Sequence, residues 1–113
     1  LVIKDLNDKI IDENIQILNL IQKNIQEVIP EIEIVDGYTR FSIIKETDAC
    51  RLYKVNGLYN HVLYRTGGPL ICFIIKNKKN QNNKIIFGLV NAPGQNKLNS
   101  IKELESIVIN SIF

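Results

Sequence analysis

Residues 67–94 read GGPLICFIIKNKKNQNNKIIFGLVNAPG: two apolar runs around a polar loop, with glycine and proline at both borders. The runs 70–76 and 84–91 are rich in Ile, Val, Leu and Phe and are strand-sized, so the pattern predicts two strands. Pro69 and Pro93 lack the amide that a ladder bond needs, which puts each at the edge of a strand. A short loop between the two makes them antiparallel. From Asn96 to Phe113 the apolar residues Leu98, Ile101, Leu104, Ile107 or Val108, and Ile112 return at helical spacing. Ser100 and Glu103 fit a capping box, with Asn96 as an alternative first cap. The hairpin therefore feeds a C-terminal helix.

Upstream, residues 1–4 read as the tail of a strand. From Asn7 or Asp8 to Ile29, apolar residues at positions 11, 15, 18, 21, 25 and 28 predict a helix. Asp5, Asn7, Asp8 and Asp12 are candidate caps, and Pro30 ends the helix at Ile29. Asp36-Gly37 reads as a turn. Residues 38–45 alternate as a strand, with Tyr38, Arg40, Ser42 and Ile44 on one face and Thr39, Phe41 and Ile43 on the other. Residues 51–55 and 58–65 flank Asn56-Gly57, the strongest two-residue hairpin signal in the chain.

Gly57, Gly67, Gly68, Pro69, Pro93 and Gly94 are thus expected to be turn residues. Gly67 is the candidate for a positive φ before Pro69, and Gly94 for the swing into the last helix. The expected fold is a single α+β domain over residues 1–113. It is an antiparallel sheet of about five strands, a meander, packed on one face against an N-terminal and a C-terminal helix.

At 113 residues the chain is long enough for one continuous core. Its formal charge of +2 lacks the basic excess of nucleic-acid binders, so no nucleic-acid partner is expected. No apolar stretch approaches the roughly 20 residues that span a bilayer, and no basic-then-apolar leader opens the chain. The sequence contains no Met, which suggests a start inside a longer or processed product. Cys50 and Cys72 match no zinc or redox spacing and are expected to be free, largely buried thiols.

Chemistry is harder to find. His61 is the only histidine, and a catalytic His needs a nucleophile or carboxylate beside it. The carboxylates are scattered, with no HxxxH, ExxH or DxD set, so no catalytic residue, metal or cofactor is expected. Lys76, Lys78, Lys79 and Lys84 surround an Asn/Gln-rich loop that could hold phosphate, lipid headgroups or nucleic acid. A solvated hairpin tip accounts for the same residues more simply. From Gly94 to Lys97 the chain offers a single glycine and lacks the second that a phosphate cradle needs, and turn geometry accounts for this segment and for Gly67-Gly68 alike.

Tyr38, Tyr53, Tyr59 and Tyr64, with Arg40, Arg51 and Arg65, populate the middle strands. Tyr and Arg are favoured on recognition surfaces, although Tyr is also ordinary on a half-exposed strand. Tyr53, Tyr59, His61, Tyr64 and Arg65 form the candidate binding set. A small enzyme or ligand-binding domain with its site near His61 and Tyr59 is the alternative.

Gly57-Leu58-Tyr59, Gly67-Gly68-Pro69, Gly88, Ala92-Pro93, Lys97 and Leu104-Glu105 carry a resemblance. Across residues 57–113 the stretches GLY, GGPLICF, FGLVNAP and KELES resemble an uncharacterised family of cell-envelope lipoproteins from Bacteroidota. The resemblance implies the C-terminal domain of a longer protein, periplasmic or outer-membrane-associated, whose signal and lipidated cysteine lie outside this stretch. Together with the Tyr/Arg-bearing strands and the missing catalytic constellation, it favours a non-enzymatic binding or assembly module, with another envelope protein as partner and possible homo-oligomers. It assigns no catalytic residue.

Overall fold

The computed structural model describes residues 2–6, 9–10, 12–35, 37–79, 82–89 and 102–110. In chain order these contain β1 (Val2–Leu6), α1 (Asn14–Val28), β2 (Ile32–Ile34), β3 (Arg40–Glu46), β4 (Cys50–His61), β5 (Thr66–Asn77), β6 (Asn83–Leu89) and α2 (102–110). The strands form one six-stranded sheet in the order β1-β6-β5-β4-β2, with β3 also on β4. Every pairing is antiparallel, and β3 to β6 run as a meander. The α+β class and the two flanking helices are as expected.

β4 and β5 are the spine of the sheet. They pair without a break from Cys50 opposite Asn77 to His61 opposite Thr66. Along β5, Leu70, Cys72 and Ile74 enter one core cluster and Ile71, Phe73 and Ile75 another, because successive side chains leave a strand on opposite faces. Helix α1 closes the first cluster through Ile17, Leu20, Ile21 and Ile25. Helix α2 closes the second through Val108, with Leu104 and Ile109 at its border. Lys54 of β4 pairs with Glu105 of α2 at 2.7 Å. Both faces of the sheet are covered, so the molecule has three layers where the sequence reading expected two. The uninterrupted apolar run 70–75 is what a strand buried on both faces requires.

Helix α1 starts at Asn14, later than the expected Asn7 or Asp8. Its buried stripe is Ile17, Leu20, Ile21, Asn24 and Ile25, rotated so that Ile15 and Val28 face solvent. Glu13 precedes it in extended conformation without a side-chain cap, and Ile29 leaves it extended before Pro30, as expected. Of the candidate caps, Asp5 pairs with Lys84 and Asp12 turns to Arg51 and Tyr53. Asn7 and Asp8 lie outside the described residues. Buried Asn24 is satisfied: it donates to the Leu20 carbonyl and accepts from Lys4 Nζ, both at 2.8 Å.

The turns fall elsewhere than expected. Asn56-Gly57 lies inside β4, with Asn56 opposite Ile71 and Gly57 opposite Leu70. Gly57 serves close approach instead. On the other edge of β4, β3 pairs as far as Asn56 and β2 pairs from Tyr59, and Thr39 lies against Gly57 between them. A Cβ on Gly57 would sit 3.3 Å from Thr39 Oγ1. The β4–β5 turn is made by residues 62–65, with the Arg65 amide donating to the His61 carbonyl at 2.9 Å.

Gly67, Gly68 and Pro69 belong to β5. Among the described glycines only Gly37 has a positive φ, as a turn there requires, and the positive φ expected of Gly67 is not found; Asp36 lies outside the described residues. Gly67 is needed for space: its Cβ would lie 2.7 Å from the Tyr59 carbonyl and from Asn60 Oδ1. β3 alternates as expected up to an irregularity between Ile43 and Lys45. Pro93, Gly94, Asn96, Leu98, Ser100, Ile101 and Ile112 lie outside the described residues.

Candidate functional site

The β4–β5 pair ends in two contrasting surfaces. At one end the turn 62–65 presents Val62, Leu63 and Tyr64 at 54, 67 and 75% exposure, followed by Arg65. His61 supports them: its Nδ1 accepts the Tyr64 amide at 3.3 Å, and its ring lies 4.5 Å from the Tyr64 ring. Arg65 has φ 52, and it is the one described non-glycine residue in the left-handed region. Of the candidate binding set, His61, Tyr64 and Arg65 come together here. Tyr53 and Tyr59 do not, because both belong to the core cluster under α1. Among the described residues no carboxylate hydrogen-bonds His61, so the acid–base partner that the alternative reading needs is not beside it.

At the other end, a cleft of about 410 Å³ is lined by Lys9, Ile10, Arg51, Lys76, Asn77, Lys78, Lys79 and Asn83. Four separate segments bring these residues together. Arg51 is the fixed post. Its Nε and Nη2 donate to Glu46 at 2.8 and 3.1 Å, and its Nη1 donates to Asp12 at 2.9 Å. Lys78 Nζ donates to the same Glu46 at 3.0 Å and to the Thr47 carbonyl at 2.7 Å. The hydrogen bonds from Arg51 and Lys78 hold the Glu46 carboxyl down at about 2. The bond to Glu46 in turn raises the Arg51 guanidinium above its ordinary range, with the Tyr53 hydroxyl adding to the effect.

The buried Tyr53 ties this network to the core: its hydroxyl donates to Asp12 Oδ1 at 2.5 Å. Burial first, and the Asp12 contact second, push its hydroxyl pKa up. Two asparagines brace the β5–β6 end of the cleft. The Asn77 amide donates to Asn83 Oδ1 at 2.8 Å, and the Lys79 amide to Asn77 Oδ1 at 3.0 Å. Of the lysine loop singled out in the sequence, Lys76, Lys78 and Lys79 line the cleft, whereas Lys84 pairs with Asp5 on β1. The contributions of Lys9 and Arg51 have no local signal, since only the fold brings them to the loop.

Cys50 and Cys72 are free; Cys72 is buried as expected, whereas Cys50, at the start of β4, is only half-buried. They sit opposite Asn77 and Val55, five register positions apart and on opposite faces of the sheet, so no bridge can join them. Burial alone pushes the Cys72 thiol far up, which makes it inert. Among the described residues no group of three or more His, Cys, Asp and Glu side chains could hold a metal ion. Among them, too, no helix is long and apolar enough to cross a membrane.

The model of one family, Domain of unknown function (DUF4837), matches residues 4–110. No curated protein and no solved structure shows a significant match to the chain.

Proposed function

The chain belongs to the DUF4837 family, a domain of unknown function, and from that premise we propose a non-enzymatic binding module of the bacterial cell envelope. The observation that carries the binding role is the composition of the β4–β5 turn. Four-residue turns favour Gly, Asn, Asp and Ser, which accept left-handed geometry or bond their own backbone. This one is Val62-Leu63-Tyr64-Arg65, with an arginine in the left-handed position. Apart from the Tyr64 ring against His61, those side chains make no contact that the turn itself needs.

Three consecutive exposed apolar residues at the end of a rigid hairpin form a contact suited to a partner protein, with Tyr64 and Arg65 as amphipathic anchors. The strain at Arg65 supports the same reading, since unfavourable backbone geometry gathers where a surface has work other than folding. The envelope placement, and another envelope protein as the partner, rest on the resemblance of residues 57–113 to cell-envelope lipoproteins.

The test is capture from native membranes with the full-length protein and with a Leu63→Ser/Tyr64→Ser variant. A partner retained by the unaltered protein and released by the variant, at unchanged thermal stability, is the expected result. Equal retention by both removes the turn from the reading. Recovery of the full-length protein only in cytosol, without lipid modification, removes the envelope placement.

A further inference from the structure

The chain carries a formal charge of +2, yet the cleft at the far end of β4 is lined by five cationic side chains and no carboxylate. Asp12 and Glu46 take up Arg51 and Lys78. Lys9, Lys76 and Lys79 are left without a carboxylate partner among the described residues. Like charges so placed repel one another, and the two asparagine bonds at the cleft wall hold Lys76 to Lys79 in that arrangement. Arg51 is held as firmly by Glu46, Asp12 and Tyr53.

A pre-formed concavity of about 410 Å³, with ammonium groups that no carboxylate of the described residues neutralises, is suited to receive an anion. The free donors are lysines, compact charges on flexible stems, and the only guanidinium is already engaged. That favours a multivalent oxyanion, met from several directions, over a planar carboxylate that a free arginine fork would grip. Buried Ile10 gives the cleft an apolar flank for whatever carries the anion.

We propose that this cleft binds a phosphate-bearing ligand, with Lys9, Lys76 and Lys79 as the binding residues and Arg51 as the post that positions the wall. The site lies roughly 35 Å along β4 from the turn 62–65, so it stands independently of the partner contact there. The phosphate could belong to a soluble phosphoester or to a lipid headgroup, and two probes separate them. Sodium pyrophosphate is titrated calorimetrically into the protein at low and at physiological salt. Co-sedimentation is measured with phosphatidylglycerol-containing vesicles against pure phosphatidylcholine vesicles.

The expected result is saturable binding of at least one phosphate probe, weakened by salt and by about tenfold or more in a Lys9→Gln/Lys76→Gln/Lys79→Gln variant. Pyrophosphate binding alone assigns a soluble ligand, and headgroup-selective sedimentation alone assigns a lipid. Because these lysines make no ion pair with the described fold, the variant should melt as the unaltered protein does. A Lys79→Glu single variant, expected to weaken binding in the same direction, serves should the triple variant fail to fold. Absence of binding to both probes, or binding undiminished in the variants, overturns the proposal.

Discussion

The two ends of the β4–β5 pair are made from the same strands but are held in different ways. At the turn 62–65 the chain folds back within a few residues, and its bonds are local: Arg65 to His61 and Tyr64 to His61. Its apolar side chains are left outside. At the cleft the order comes from far apart in sequence, since Arg51 binds Asp12 and Glu46 while Lys78 reaches Glu46 and Thr47. Its cations are what is left outside. One sheet can thus present an apolar contact and a charged one without conflict, because the buried strand residues between them keep the two apart. The difference teaches that exposure of a side chain is informative only against what holds the backbone beneath it.

The comparison can be broken most heavily from the middle. Phe73 is fully buried under α2 between the two ends, so Phe73→Ala should cost about 3–5 kcal/mol in denaturant unfolding. Hydrogen exchange should rise at both ends together. An effect confined to one end would mean that β4–β5 does not act as a single rigid pair.

Gly67→Ala should separate the ends. The added methyl meets the Tyr59 carbonyl, which cannot yield without moving β4, at a cost of about 1–3 kcal/mol. Amide exchange should quicken around residues 59–67 and stay unchanged near Arg51 and Lys76. Tyr53→Phe should do the reverse. Loss of the hydroxyl bond to Asp12 costs about 1–2 kcal/mol and should disturb exchange at residues 12 and 51 while sparing 61–66.

The smallest expected effect is electrostatic and confined to the cleft. The folded Glu46 carboxyl titrates at about 2, below its ordinary value of 4.5. Its contribution is therefore present above pH 4.5 and is lost as pH falls towards 2. The pair is exposed, so the change in stability should be slight. Carboxyl chemical shifts followed through an acid titration read it directly, and Glu46→Gln should remove that part of the pH dependence. A Glu46 midpoint near the ordinary value would show the Arg51–Lys78 bracket to be loose.

Much of the fold was legible because it follows from period and punctuation. Alternation and apolar runs located β3, β5 and β6, and Pro30 stopped α1 where its ring must. Turn chemistry misled. Asn56-Gly57 is a strong hairpin signal in isolation, whereas Val62 to Arg65 has none, yet the chain turns at the second and runs straight through the first. A turn at 56–57 would have parted β4 from the long apolar stretch of β5. The fold instead uses the missing Gly57 side chain to let Thr39 pass. Of the candidate binding set, sequence had no means of separating Tyr53 and Tyr59, which pack under α1, from Tyr64, which stands in solvent.

By itself, then, the order of residues determined the strand-and-helix vocabulary and the antiparallel class, since these depend on spacings of two and of three to four residues along one segment. It also determined that the 76–79 stretch would be cationic. Only the tertiary structure decided that α1 and α2 lie on opposite faces of the sheet, because a helix stripe specifies that it must be buried but not against which side. Only the tertiary structure, too, carried Lys9 and Arg51 to the lysines at the end of β5 while sending Lys84 to Asp5. Contacts of that kind join residues tens of positions apart, and no local pattern encodes a distance that exists only once the strands have paired.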